Sequence, residues 1–261
     1  MTFKELRDWE WSYYESKIFL KSKKLSYFNF KHGFFNKQFD NKSIRELAIF
    51  FGNKNSIHRV KQVHGINIIK ASNTKEESII EADGIISDDC KQSLWIYTAD
   101  CIPVLIADKS SGVVGACHVG WRGVTQRLIP IAIDKLISRG SKSQNLIIAM
   151  GPAISMENYE VGITLSESIY LSLNKSTESE IPTNFINRLE TLGIVKNKSD
   201  SKDKLKLDIR LALKYQLINN GIQSNQITIC PICTFQESSI FHSRRKSLSC
   251  GFQWSGIATK F

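Results

Sequence analysis

Residues Tyr97–Gly123 read Tyr-Thr-Ala-Asp-Cys-Ile-Pro-Val-Leu-Ile-Ala-Asp-Lys-Ser-Ser-Gly-Val-Val-Gly-Ala-Cys-His-Val-Gly-Trp-Arg-Gly. Two apolar runs, 102–107 and 113–117, flank Lys109-Ser-Ser-Gly112 and predict a hairpin. A further strand at 93–98 precedes them. Beyond Gly123, Val124, Leu128, Ala132 and Leu136 recur every fourth residue, with Ile129, Ile133 and Ile137 beside them. That spacing predicts a helix over 124–138 with a wide apolar face, ended at Gly140. Buried strands leading into such a helix mark an α/β fold.

Upstream, short β-branched strands are predicted at 60–63 and 66–69 around His64-Gly65, with a turn at 82–84. Ser43 as N-cap and Gly52 as C-cap bound a helix over 43–51. Residues 1–30, rich in Trp, Tyr and Phe, read as an extension packed on the body. Downstream, a buried strand at 145–150 stops at Gly151-Pro152, and helices over 164–191 break near 174–180. Residues 195–206 read as a lysine-rich loop, and 207–221 as a helix capped by Asp208 and Gly221. Strands are predicted at 227–229, 240–243 and 252–258. No repeat or linker divides the chain, so residues 1–261 read as a single domain.

Composition narrows the function classes. The chain has 261 residues, 42% hydrophobic and 23% charged, as in ordinary globular domains. No apolar run reaches the roughly 18 residues of a membrane span, and no signal peptide is recognised. The expectation is a cytoplasmic protein, monomer or homodimer, with its six cysteines reduced. A net charge of +10 would permit nucleic-acid binding. Its lysines, however, cluster without interleaved aromatics or a reading motif, so a solvated surface is expected and no nucleic-acid partner.

Three residues carry the chemistry: His64, Cys101 and His118. Imidazole and thiolate suit Zn²⁺, with copper possible, and three protein ligands leave a position open for catalysis. Cys101 could instead be a nucleophile with His118 as its base. Asp83 and Asp100 stand beside them as candidate orienting acids or proton carriers. The turn His118-Val-Gly-Trp-Arg-Gly123 opens into the helix and offers backbone N–H groups to an anion, with Arg122 as a bidentate partner. Arg59 and the pair Arg244-Arg245 could add positive charge; Arg59, Gln62, Arg122 and Arg244 are the candidate substrate contacts. Cys117 is read as a buried apolar residue and Cys230-Pro-Ile-Cys233 as structural.

Several motifs occur in the order of a known family: Lys61-Gln-Val-His-Gly65, Glu81-Ala-Asp-Gly84, Thr98-Ala-Asp-Cys-Ile-Pro-Val104, Ala116-Cys-His-Val-Gly-Trp-Arg-Gly123, Gly151-Pro-Ala-Ile154 and Tyr159-Glu-Val-Gly162. Leu207-Asp-Ile209, Cys233-Thr234 and Ser243-Arg-Arg245 continue the series. The chain resembles the YfiH, or laccase-domain, family from about His32 to its C-terminus. The resemblance implies a layered α/β sandwich in which mixed sheets pack between helices, related to the cytotoxic necrotizing factor deamidases. It implies a zinc or copper site at His64, Cys101 and His118. It also implies phosphorolysis of adenosine, inosine and methylthioadenosine, with phosphate as co-substrate, and deamination of adenosine. The chain departs from the family at Asn36–Asp40, at Glu157-Asn158, and at Cys250-Gly251-Phe252, where an arginine is lost.

Counting imidazoles weighs the older oxidase label. A multicopper centre needs several histidine clusters, and this chain has five histidines with no His-x-His pair. Purine nucleoside chemistry is therefore the leading reading. A Cys101–His118 amide hydrolase acting on cell-wall precursors comes second, and polyphenol oxidation last.

Overall fold

The computed structural model describes residues 6–52, 55–74, 79–173, 181–197 and 203–260. Its centre is two six-stranded mixed sheets. In the first sheet, in spatial order, lie β1 (Trp9–Tyr14), β2 (Lys17–Ser22), β3 (His32–Phe34), β15 (Gln253–Ala258), β7 (Gln92–Thr98) and β4 (Ser56–Arg59). In the second lie β14 (Ile227–Ile229), β10 (Leu146–Met150), β8 (Ile102–Asp108), β9 (Val114–Val119), β6 (Gly84–Ile86) and β5 (Ile68–Lys70). A three-stranded sheet of β11 (Glu160–Gly162), β13 (Lys204–Leu207) and β12 (Val195–Lys196) stands apart.

Side-chain alternation sets the layers. Leu94, Ile96 and Ile257 of the first sheet meet Leu105, Ala107, Ala116 and Ile147 of the second in one buried cluster. The opposite face of the second sheet, through Ile102, Val104, Ile106, Ile148 and Met150, packs on helices α3 (Trp121–Thr125), α4 (Leu128–Ile137), α5 (Ile163–Leu173), α6 (Phe185–Thr191) and α7 (Ile209–Asn219). The outer face of the first sheet, through Phe19, Phe35 and Trp95, is covered by Leu47 and Ala48 of α2 (Ile44–Ala48) and by Phe51. A short helix, α1 (Lys23–Tyr27), follows β2. The result is the mixed α/β sandwich expected. Burial on both faces explains why β8 and β10 read as continuous apolar runs rather than alternating ones.

Within the first sheet, a glycine makes room for a large cross-strand neighbour. A Cβ on Gly256 would stand 2.6 Å from the Trp95 ring, so only glycine admits that indole between β15 and β7.

Four local readings are corrected. The helix expected over 124–138 is two helices, because Arg127 adopts φ 60°, ψ 41° and Pro130 lies in the first turn of α4. A proline there has no N–H for the carbonyl of Gln126 and would crowd it, so the helix restarts instead of continuing. The lysine-rich stretch 195–206 supplies β12 and β13 rather than a plain loop, although residues 198–202 lie outside the described residues, as does the break at 174–180. Residues 240–243 form no strand but a turn end and irregular chain, and Gln253 Oε1 accepts the His242 N–H (2.6 Å) where a strand partner would stand. Of the two strands expected around His64, 60–63 is loop with one β-bridge between Lys61 and Glu81, whereas 66–69 is realised in part, as β5 at 68–70.

The aromatic N-terminal stretch is an antiparallel hairpin, β1–β2, that extends the first sheet, with Trp9 and Leu20 fully buried. Helix α2 has the predicted Ser43 cap, completed as a capping box by Glu46, and α7 has the Asp208 cap. No described helix is long and apolar enough to cross a membrane.

Candidate metal centre

The hairpin β8–β9 places Pro103 opposite His118, so Cys101, just before β8, lies beside the end of β9. Strand β6 pairs with β9 on its other side, and Gly84 faces Cys117 there. Asp83, the residue before β6, therefore arrives next to His118. His64 comes from the loop leading to β5, the neighbour of β6. Three separated stretches thus meet at one end of the second sheet.

Asp83 organises them. It is fully buried, and its carboxylate accepts the Nδ1–H of His118 at 2.8 Å. The same carboxylate accepts the backbone N–H groups of Val63 (3.2 Å), His64 (3.0 Å) and Gly65 (2.6 Å). Those bonds curl the loop and hold His64 at φ 61°, a left-handed backbone that non-glycine residues rarely adopt. Asp100, next to Cys101, has φ 89°. Such backbone strain concentrates at functional sites.

One donor atom from each of His64, Cys101 and His118 lies within 4.8 Å of the others. His64 Nε2 stands 3.9 Å from Cys101 Sγ, and the two imidazoles meet edge to face at 4.6 Å. Gly120 forms part of the cradle: a Cβ there would sit 3.0 Å from Cys101 Sγ and 3.3 Å from His64 Cδ2. With Nδ1 of His118 tied to Asp83, its Nε2 is the nitrogen available as a ligand. This donor set, with its carboxylate-held histidine, fits one ion of zinc or copper character. No other such group occurs among the described residues. The remaining histidines are engaged elsewhere: His32 with Ser22 and Phe30, His58 with Ser56 and Thr74, His242 with Asp40.

Charge follows geometry in the metal-free protein. Burial raises the Cys101 thiol, but hydrogen bonds and charge from His118 and His64 outweigh it and bring the pKa down to about 7. Burial lowers His118, while Asp83 and Cys101 outweigh that and lift it to about 9. Thiolate and imidazolium therefore support each other at neutral pH. Cys117 and Cys230, with no such partners, are pushed by burial to about 12. Cys233 Sγ accepts the N–H of Ser155 at 3.2 Å.

Two cavities flank the centre and share His64, Ala99, Cys101 and Arg244 as walls. One, of about 350 Å³, adds Arg122, Arg245, Trp121, Tyr159 and Asp100. The Arg122 guanidinium rests 4.2 Å over the Trp121 ring and that of Arg245 5.2 Å over Tyr159. Burial pushes the Tyr159 phenol up to about 12, so it stays a hydrogen-bond donor. Helix α3 spans five residues only, so positive charge here comes from these arginines rather than a long helix N-terminus.

Other predicted residues have different surroundings. Asp83 is enclosed, so it orients rather than meets substrate. Asp100 accepts Thr234 Oγ1–H at 2.6 Å and the Arg245 N–H at 2.7 Å, which matches anchoring of the Arg244–Arg245 turn better than proton transfer. Gln62 exchanges two bonds with the Tyr97 backbone (2.7 and 2.8 Å) and lines the second cavity. Arg59 lies in β4 and lines neither cavity. Tyr159 and Trp121 had no assigned role in the sequence, the Tyr-Glu-Val-Gly motif being the available signal for the first; Arg245 was expected as added positive charge and lines the first cavity.

Among the described residues, one three-donor group at the end of the second of two packed mixed sheets defines a class of α/β sandwich proteins with a candidate metal centre. Residues 39–260 match the family described as multi-copper polyphenol oxidoreductase laccase, and the chain belongs to that family, the YfiH family. It is 34% identical over 239 residues to a purine nucleoside phosphorylase of Synechocystis, covering 87% of this chain and 89% of that protein. It is 29% identical to a purine nucleoside phosphorylase of Bacteroides thetaiotaomicron, covering 72% of this chain and 64% of that one. In fold it is similar to YlmD from Geobacillus stearothermophilus (TM-score 0.78, 21% identity, 95% and 98% of the two chains). It is likewise similar to YfiH of Bacillus licheniformis (TM-score 0.76, 20% identity, 93% and 96%).

Proposed function

We propose that this protein is a metal-dependent purine nucleoside phosphorylase that cleaves adenosine, inosine and methylthioadenosine, and also deaminates adenosine. The observation that carries the reading is one cavity lined by Arg122, Arg244 and Arg245 together with His64 and Cys101. The activity named for the Synechocystis relative supports it.

In phosphorolysis a phosphate oxygen bonds to the ribose C1′ as the C1′–N9 bond breaks. The electron pair of that bond leaves with the purine, and the proton of hydrogen phosphate balances the released base. Guanidinium groups suit a phosphate nucleophile because they bind it bidentately and neutralise its charge. Stacking on Trp121 and Tyr159 pre-positions Arg122 and Arg245, so less freedom is lost when phosphate binds. Asp100 fixes the Arg245 backbone, and the Tyr159 phenol can donate a further hydrogen bond. Asp83 keeps His118 in one tautomer and the loop of His64 in place. Zinc, or copper, held by His64, Cys101 and His118 would supply Lewis-acid charge, which also suits the hydrolytic deamination.

The test incubates metal-replete protein with adenosine, with and without phosphate, and separates adenine, inosine and hypoxanthine. Adenine formed only with phosphate, and inosine formed without it, are the expected products. Absence of all three overturns the reading. The run Asp83–His118–Cys101 also favours a second reading, a cysteine amide hydrolase. That reading requires activity to survive metal removal; loss on chelation and return with Zn²⁺ excludes it.

A further inference from the structure

We propose that the second cavity, walled by Tyr97 and Phe252, is the subsite that binds the purine base by stacking. This inference rests on the nucleoside reading above and deepens it. The cavity has a volume of about 310 Å³ and opens on the same His64–Cys101 wall as the arginine cavity. Its character is different. Arg122 and Arg245 lie only on the other side, and here the wall is Tyr97, Thr98, Cys250, Gly251 and Phe252.

Tyr97 and Phe252 lie with ring centroids 4.6 Å apart and planes inclined at 41°. Trp254 meets both edge-on at 5.3 Å, with planes at 80° and 88°, and fixes the pair. Gln62, also on the cavity wall, clamps the Tyr97 backbone. Phe252 is nevertheless 45% exposed. A braced aromatic ring left facing a cavity is a platform for a flat, neutral, polarisable ligand. A purine has that shape and chemistry; phosphate and ribose do not.

A polar feature completes the subsite. Thr98 is 2% exposed, lines the cavity, and its hydroxyl has no hydrogen-bond partner among the described residues. A hydroxyl left in that state is costly, and the heteroatom edge of a base is a suitable partner. A nucleoside laid across the shared wall puts its base on Phe252 and its C1′ next to the arginine cavity.

Isothermal titration of inosine, in phosphate-free buffer, into the metal-replete protein tests this without turnover, because inosine has no amino group to lose and phosphorolysis needs phosphate. Phe252→Ala should raise Kd roughly ten- to hundredfold, the loss expected for one stacked base, and Phe252→Trp should restore it. The KM for phosphate should not move in either variant. Thr98→Val, which keeps the shape and removes the hydroxyl, should weaken inosine about fivefold. Unchanged inosine affinity in Phe252→Ala, or an equal loss for phosphate, overturns the platform while leaving the nucleoside reading intact. Unchanged affinity in Thr98→Val overturns the role of the hydroxyl. A wild type that binds no nucleoside overturns both the subsite and the reading beneath it.

Discussion

Asp83 and His118 are bonded twice, once through the chain and once through their side chains. The His118 N–H donates to the Asp83 carbonyl at 2.8 Å, and its Nδ1–H donates to Asp83 Oδ1 at 2.8 Å. The first bond aligns β6 with β9; the second chooses the histidine's tautomer. Fold and site are therefore joined at one residue pair.

Asp83→Asn should damage both. The amide removes the negative charge beside His118, and its NH₂ would have to face the N–H groups of Val63 and Gly65, which now donate to Asp83 Oδ2. Metal affinity should fall about ten- to hundredfold, measured by competition with a chelator. Stability should fall by about 3 kcal/mol, measured by urea unfolding.

Alkylation should distinguish Cys101 from Cys117 and Cys230 in the metal-free protein. Its thiol, brought down to about 7, is half ionised near neutrality, whereas Cys117 and Cys230 at about 12 stay protonated and buried. Iodoacetamide labelling of Cys101, followed by mass spectrometry, should rise through pH 7 and level off above pH 8. Adding Zn²⁺ should suppress it. Labelling of Cys117 at an equal rate contradicts the assignment.

His32 should make the fold sensitive to mild acid. Its Nε2 accepts the Ser22 N–H (2.9 Å) and its Nδ1–H donates to the Phe30 carbonyl (2.9 Å), so both nitrogens are occupied by the neutral ring. Burial lowers its pKa from 6.5 to about 4. Between those values the unfolded chain binds the proton and the native one does not. The stability is therefore complete above pH 6.5 and is lost as pH falls towards 4, by about 2 kcal/mol at pH 5. Denaturant unfolding at pH 7 and pH 5 should show this drop, and His32→Gln should remove most of it.

The arginine cavity predicts a split between substrates. Arg122→Ala and Arg245→Ala should each raise the KM for phosphate at least about tenfold, with a much smaller change in the KM for nucleoside. Lysine should recover only part of the loss, because it cannot stack on Trp121 or Tyr159 as a planar group does. Steady-state rates with phosphate varied at saturating inosine measure both.

The sequence was legible where structure is local. The β8–β9 hairpin, the Ser43 and Asp208 caps and the buried β10 follow from short-range patterns and stand within a residue or two of their predicted limits. What escaped depends on distant partners. The Trp9–Ser22 hairpin becomes a sheet edge only because β3 lies beside it, and residues 195–196 and 204–207 become strands only through pairing with each other and β11. Arg127 turns left-handed under the demand of Pro130 three residues later, a clue that apolar periodicity outweighed. In the site, residue chemistry named His64, Cys101 and His118, and the structure brings them together. It did not separate the enclosed Asp83 from substrate, nor remove Arg59 from the cavities, because burial and strand neighbours decide both. Tyr159 and Trp121 are aromatic residues whose use appears only when an arginine is seen resting on them.

The central claim is a single metal held by His64, Cys101 and His118. Elemental analysis of purified wild type beside Cys101→Ala and Cys117→Ala tests it most directly. About one zinc- or copper-class ion per chain is expected in wild type and in Cys117→Ala, and almost none in Cys101→Ala. Full metal content in Cys101→Ala, or several ions per chain in wild type, would contradict it.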